Sequence, residues 1–182
     1  MVHVVYYVHG AGATASLLPG QREPGEAIPS KIICLLASGG LDCRYEGPAC
    51  WMPSQQTVQG LYSHWVTDDI VAMARPSSHI IKKYSIIEQF QWLNIKSIIN
   101  MLSPGEHAHC GPPLEPDTGF TYFLQTFMET GNFGVSSVVG MMDGVKVIAY
   151  GMKEGKVAVH CLAGLERTGV GILWYDNMVL SP

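Results

Sequence analysis

One ten-residue run carries the residue types needed for covalent chemistry on phosphate. It reads His160-Cys161-Leu162-Ala163-Gly164-Leu165-Glu166-Arg167-Thr168-Gly169, with five residues between the cysteine and the arginine. A thiolate can attack phosphorus and split a hydrolysis into two steps. A guanidinium can fork onto two phosphate oxygens. The run therefore predicts an anion site in which Cys161 is the nucleophile and Arg167 binds the phosphate.

The flanking sequence predicts how these residues are positioned. Lys156 to His160 has the pattern of a short buried strand, and Thr168 to Leu180 has the pattern of a helix. A loop between a strand and a helix can direct several backbone N–H groups at one anion. The predicted phosphate-binding residues are Leu162, Ala163, Gly164, Leu165, Glu166 and Arg167.

Four residues of the run have supporting roles in this interpretation. Gly164 is expected to allow a sharp bend, and Gly169 to allow close backbone packing. The positive surroundings are expected to lower the pKa of the Cys161 thiol. We expect Thr168 to hydrogen-bond the departing thiolate, and His160 to orient the loop and tune the thiol.

The rest of the chain predicts an α/β fold with a central sheet flanked by helices. Strand patterns alternate with helical apolar spacing, which is typical of layered α/β domains. Residues 1–55 are interpreted as a loose extension and residues 56–182 as one domain. The predicted strands cover residues 61–66, 70–74 and 95–101. A helix capped near Ser77 is predicted over residues 80–93. A second helix, capped by Ser136-Ser137, is predicted to carry an apolar stripe formed by Val138, Met142, Val145, Ala149 and Met152.

Composition narrows the functional classes. Hydrophobic residues make up 47% of the 182 residues and charged residues 14%, which favours a buried core over disorder. The net charge of −4 argues against nucleic acid as a partner. No apolar stretch reaches the ~20 residues that span a bilayer. The odd count of five cysteines favours a reduced, intracellular and cytoplasmic setting, with one disulfide among Cys34, Cys43 and Cys50 as the alternative for an exported chain.

With these residues in hand, the run resembles the signature of the protein tyrosine phosphatase superfamily, His-Cys-x-x-Gly-x-x-Arg-Thr/Ser-Gly. Four further segments resemble an atypical, dual-specificity-like branch, so the resemblance covers residues 45–170: Trp65-Val66-Thr67-Asp68, Ala72 to Ser78, Ile98-Ile99-Asn100 and Pro104-Gly105-Glu106-His107. The resemblance implies a compact phosphatase domain with no metal and no cofactor. It implies phosphorylated proteins as substrates, hydrolysed at phosphotyrosine and in dual-specificity members also at phosphoserine or phosphothreonine, and a role in cilium biogenesis.

The chain departs from that branch in the run itself and in the general acid. Leu162 stands where the branch has His, and Glu166 where it has Gly. The family also uses an Asp about 30 residues before the Cys to protonate the leaving oxygen. Asn132 lies near that place and is not an acid, so the general acid is unknown. The carboxyl groups in this part of the chain are Glu129, a possible substitute, Asp143, more simply a solvent-facing helix residue, and Asp117, in a distant loop.

The departures leave an alternative function open. The missing acid, Glu166 and the short C-terminus motivate the alternative of a catalytically impaired phosphate-binding pseudophosphatase or a truncated isoform. The resemblance implies that the domain continues with further helices, and Asp176-Asn177 interrupt the apolar face of the last helix in this chain. An exposed sheet face or core edge is therefore expected. A phosphoinositide phosphatase is disfavoured because Leu162 and Leu165 are apolar where extra basic residues would be needed.

Two other groups of residues have simpler interpretations. His107, His109 and Cys110 lack a second ligand pair at zinc-like spacing, so we interpret them as loop residues and expect no metal. Arg75, Lys82 and Lys83 could line a substrate face, but a solvated helix start is the simpler interpretation.

Overall fold

A computed structural model describes Ile32 and residues 51–108, 111–131, 134–137 and 141–180. Most of the predicted N-terminal extension therefore lies outside the described residues, although a short 3-10 helix covers Pro53–Gln55. The strands of the described residues are β1 (Ser63–Trp65), β2 (Ile70–Met73), β3 (Ile95–Asn100), β4 (Gly134–Ser137) and β5 (Lys156–His160). The helices are α1 (Ser78–Lys83), α2 (Ile86–Trp92), α3 (Leu124–Gly131), α4 (Met141–Gly151) and α5 (Glu166–Tyr175).

The described strands form one mixed sheet in the order β1-β2-β5-β3-β4. Only β1 is antiparallel to its neighbour, and the other pairs are parallel. The register places His160 opposite both Met73 and Asn100, while Asn100 lies opposite Ser137. Four strands therefore end at one edge of the sheet, which is the edge where open α/β sheets bind ligands.

Helices cover both faces of the sheet, as the sequence predicts, because side chains alternate along each buried strand. In β2, Val71 and Met73 join the core that packs under α1, α2 and α3, while Ile70 and Ala72 join the core under α4 and α5. The central strand β5 divides its apolar residues in the same way. The α/β fold class predicted from the sequence is confirmed.

Several predicted boundaries are confirmed and others are wrong. Ser77 caps α1, since its hydroxyl accepts a hydrogen bond from the Ile80 N–H at 3.3 Å. The single helix predicted over 80–93 is in fact α1 and α2. Ser85 adopts a left-handed conformation between them, and the Gln89 side chain donates to the Tyr84 carbonyl at 2.8 Å, which ends α1.

The segment before α4 differs more from its prediction. Ser136-Ser137 do not cap a helix but form the end of β4, where the Val-Ser-Ser sequence pairs with β3. The predicted stripe is also incomplete: Val145 is buried, Met142 is 46% exposed, and Val138 lies outside the described residues. Helix α3 was not predicted.

Helix α5 has two apolar faces and is followed by a π-helical turn over Asp176–Leu180. Thr168, Ile172 and Tyr175 are buried against the sheet. The opposite side of the helix and of the turn carries exposed apolar side chains at Val170, Leu173, Trp174 and Met178. Among the described residues, none of the helices combines the length and the apolar character that crossing a membrane requires.

Candidate active site

The cysteine loop, Cys161–Leu165, joins the end of β5 to the start of α5. Its cysteine is only 5% exposed and lies at a cavity of about 210 Å³. Residues from two segments line this cavity: Leu102 and His107 after β3, and Cys161, Leu162, Ala163, Leu165, Glu166 and Arg167. The fold therefore gathers most of the predicted site around one thiol.

The surroundings of Cys161 favour its thiolate. Burial raises the pKa of the thiol, but hydrogen bonds from Thr168, Gly164 and Ala163 outweigh burial, and the net pKa lies below its ordinary value. Thr168 Oγ1 is completely buried and has no partner other than the Cys161 sulfur among the described residues. That hydroxyl is therefore available to the sulfur, whose charge it stabilises.

The two glycines of the run behave differently. Gly164 has φ of +76°, and a Cβ at this position would collide with the main chain of Met73 and Ala74 at the end of β2. Glycine is therefore required there both for its conformation and for the close approach. The predicted close packing at Gly169 is wrong, because a Cβ there would meet nothing within 4 Å.

Arg167 is held by a carboxylate that the sequence analysis did not select. Its guanidinium forms a two-pronged ion pair with Glu106, with one N–H donating to Oε2 at 2.8 Å and the other to Oε1. The same side chain donates to the Met101 carbonyl at 3.1 Å. These contacts fix the plane of the guanidinium at the rim of the cavity.

The contact with Arg167 also keeps the Glu106 carboxyl group ionised. The hydrogen bond from Arg167 lowers the pKa of this carboxyl to about 2, aided by the Ser103 N–H and opposed by partial burial. Reciprocally, the hydrogen bond to Glu106 raises the pKa of Arg167. The pair therefore stays ionised throughout the physiological pH range.

A buried tyrosine and histidine support the base of the cysteine loop. Tyr122 Oη lies 2.7 Å from His160 Nε2, and His160 Nδ1 lies 3.3 Å from the Cys161 carbonyl oxygen. Burial lowers the pKa of His160 to about 4, with help from the Arg75 charge, and burial raises the pKa of Tyr122. The network is consistent with a neutral imidazole that accepts from Tyr122 and donates to the loop, a tautomer assigned from these distances.

Arg75 is buried, so its interpretation as part of a solvated helix start is wrong. It is 4% exposed, its N–H donates to the Leu162 carbonyl at 3.1 Å, and its guanidinium donates to the His107 carbonyl at 3.4 Å. Lys82 and Lys83 are exposed on α1, as that interpretation expects. Arg75 therefore connects the end of β2 to both sides of the cavity.

The carboxyl groups considered as the general acid, where the structure describes them, do not line the cavity. Asn132 lies outside the described residues. Glu129 is exposed near the end of α3, Asp117 is exposed in a turn, and Asp143 is half-buried on α4. Glu166 is exposed and lines the cavity beside Arg167. None of the acid candidates that the structure describes is thus in place to protonate a leaving group.

Of the three loop residues considered for metal binding, the structure describes only His107. His107 lines the cavity, whereas His109 and Cys110 lie outside the described residues. Within the described ranges, no three His, Cys, Asp or Glu side chains come together as metal ligands would.

Comparisons with known proteins place the chain among tyrosine phosphatase-like proteins. It is homologous to part of protein tyrosine phosphatase domain-containing protein 1. The mouse (Mus musculus) protein of that name is 52% identical over 157 residues, which cover 81% of this chain and 21% of the mouse protein. The zebrafish (Danio rerio) protein is 50% identical over 152 residues, covering 79% and 21%. The chain spans about a fifth of the length of these curated relatives.

The comparisons with family models and with solved structures carry less information about the family of this chain. No family model matches the chain. Crystal structures of Pseudomonas aeruginosa TpbA, one of them in complex with pTyr, align over 70% of this chain and 71% of TpbA with a TM-score of 0.43 and 16% identity. At that TM-score the likeness does not establish a shared fold.

Proposed function

We propose that the chain is a cysteine-dependent protein phosphatase that hydrolyses phosphotyrosine through a phosphocysteine intermediate. The observation that supports it best is the surroundings of Cys161. Its buried sulfur accepts hydrogen bonds from backbone N–H groups and lies at a cavity that Arg167 also lines. This arrangement serves both a nucleophile and a phosphate. Phosphoserine and phosphothreonine hydrolysis and a role in cilium biogenesis are further parts of the proposal, suggested by the resemblance. A cytoplasmic location is a further part, suggested by the odd count of five cysteines.

In the first step, the Cys161 thiolate attacks phosphorus. The S–P bond forms while the P–O bond to the leaving group breaks, and the electron pair of that bond goes to the leaving oxygen. Backbone N–H groups of the cysteine loop and of the uncapped start of α5 bind the phosphoryl oxygens. Arg167 already has its guanidinium plane set by Glu106, so little reorganisation is needed when phosphate arrives.

In the second step, water attacks the phosphocysteine and the sulfur leaves as a thiolate. The interactions that lower the pKa of Cys161 also make it a better leaving group. The buried Thr168 hydroxyl is placed to stabilise that charge. His160 stays neutral and holds the loop carbonyl, so it positions the thiol and does not exchange protons with substrate.

The test is turnover of p-nitrophenyl phosphate and of a phosphotyrosine peptide by the chain and by Cys161→Ser. The proposal expects Cys161-dependent release of phosphate from at least the aryl phosphate, whose leaving group needs little protonation. Phosphopeptide binding that requires Arg167, without any turnover, would instead identify a phosphate-binding pseudophosphatase.

A further inference from the structure

The cavity at Cys161 contains a second group that can exchange a proton near neutral pH. Four of its lining residues are apolar, namely Leu102, Leu162, Ala163 and Leu165. Cys161 and Arg167 have roles in the proposed reaction. Among the described residues of the lining, this leaves Glu166 and His107. Glu166 begins α5 beside Arg167, whereas His107 comes from a separate segment, the loop after β3. Imidazole is a side chain that can both give and take a proton near neutral pH.

His107 is held in place by contacts on both its backbone and its ring. Its carbonyl accepts a hydrogen bond from the buried Arg75 at 3.4 Å. Its backbone has φ of +56°, a left-handed conformation that is uncommon outside glycine and is concentrated at functional positions. Its Nε2 lies 3.3 Å from Glu106 Oε1, which suits a protonated ring.

The same carboxylate joins His107 to the phosphate-binding arginine. Glu106 Oε1 pairs with both the His107 ring and the Arg167 guanidinium. A phosphate bound by Arg167 and attacked in line by Cys161 has its leaving oxygen on the side away from the sulfur. His107 and Cys161 line the same cavity, one from the loop after β3 and the other from the cysteine loop, so the leaving group of a phosphate bound at Cys161 lies in the cavity whose wall includes His107.

We infer that His107 is the general acid of this site, a role that rests on the proposed phosphatase function. In the first step, the P–O bond breaks, its electron pair goes to the phenolic oxygen, and the imidazolium of His107 gives that oxygen its proton, leaving phenol and neutral imidazole. In the second step, the imidazole takes a proton from the attacking water as the new P–O bond forms. The S–P bond breaks, and its electron pair returns to Cys161 as the thiolate.

The test compares two substrates that differ in their need for an acid. Phenyl phosphate releases a phenol with a pKa near 10 and needs protonation, whereas p-nitrophenyl phosphate releases a stable phenolate. The variant is His107→Asn, because asparagine tolerates the left-handed backbone and cannot donate as an acid. His79→Gln is the matched control, since His79 is exposed on α1 and outside the cavity lining.

The inference expects His107→Asn to lower kcat/KM on phenyl phosphate by about 10²-fold or more, and on p-nitrophenyl phosphate by less than about threefold. His79→Gln should leave both values unchanged. An equal loss on both substrates, no loss on either, or loss of the vanadate-induced rise in Tm in His107→Asn would overturn the role of His107. Absence of Cys161-dependent turnover of p-nitrophenyl phosphate by the parent chain would overturn the phosphatase proposal itself, and the role of His107 with it.

Discussion

The two sides of the cavity are built in different ways. On one side, the residues from His160 to Thr168 are contiguous, and a strand and a helix fix them. On the other side, Glu106 and His107 come from the loop after β3, and Arg75 reaches them from the end of β2. In the proposed reaction, the contiguous side presents the nucleophile and the N–H groups, while the assembled side orients the arginine and contributes an imidazole. The comparison teaches that the groups which act on phosphorus lie close together in the chain, while the groups that orient them and exchange protons are brought in from distant segments.

The largest effect is expected on the contiguous side. Arg167→Ala removes the guanidinium that binds phosphate and should lower kcat/KM on an aryl phosphate by about 10³-fold. Steady-state kinetics against the exposed control Lys82→Ala measure this. A loss below about tenfold would show that phosphate binding depends on the N–H groups alone.

Acid should lower the stability of the folded chain by protonating His160, which holds the cysteine loop. Burial lowers the pKa of His160 to about 4, below the 6.5 of an unfolded histidine, so the unfolded chain binds the extra proton between these values. The neutral, buried imidazole stabilises the folded chain fully above pH 6.5. As the pH falls to 4, the free energy of unfolding decreases by about 3 kcal/mol. Urea unfolding across this range measures it, with His160→Asn as the variant that lacks the titration. An equal slope in both chains would contradict the assignment.

A smaller effect is expected on the assembled side. Glu106→Gln keeps the shape of the side chain but removes the charge that orients Arg167, which still donates to the Met101 carbonyl. We expect kcat/KM to fall by about tenfold, or about 1.4 kcal/mol. The substrate is p-nitrophenyl phosphate, whose leaving group needs little protonation and so does not depend on the contact between Glu106 and His107. In a double-mutant cycle with Arg167→Ala on this substrate, Glu106→Gln should add little. Independent, additive losses would mean that Glu106 acts on something other than Arg167.

The smallest effect concerns the thiol itself. Thr168→Val removes one of the groups that lower the pKa of Cys161 and keeps a similar shape, so that pKa should rise. The measurement is the pH dependence of the rate of Cys161 alkylation by iodoacetamide. An unchanged midpoint would leave the backbone N–H groups as the whole cause of the lowered pKa.

Sequence reasoning recovered the contiguous side because its parts are neighbours in the chain. The strand, the glycine bend at Gly164 and the cysteine–arginine spacing are all read within one run. Glu106 meets Arg167 across 61 positions and Tyr122 meets His160 across 38, so no local pattern connects them. Pro104-Gly105-Glu106-His107 is one of the segments that resemble the family branch. The acid followed by a histidine in that segment was the available sign that both residues belong to the site. Arg75 was misjudged because a helix start usually exposes its arginines, whereas this one is buried beneath the cysteine loop.

The central claim is that Cys161 forms a covalent bond to phosphorus, and the most direct measurement is acid quenching of the chain during turnover of p-nitrophenyl phosphate. Mass spectrometry of the quenched chain should then find a phosphoryl group on the peptide that contains Cys161. The account predicts this adduct in the parent chain and its absence in Cys161→Ser, together with loss of turnover. Turnover that persists in Cys161→Ser, with no phosphoryl group on Cys161 in the parent chain, would contradict it.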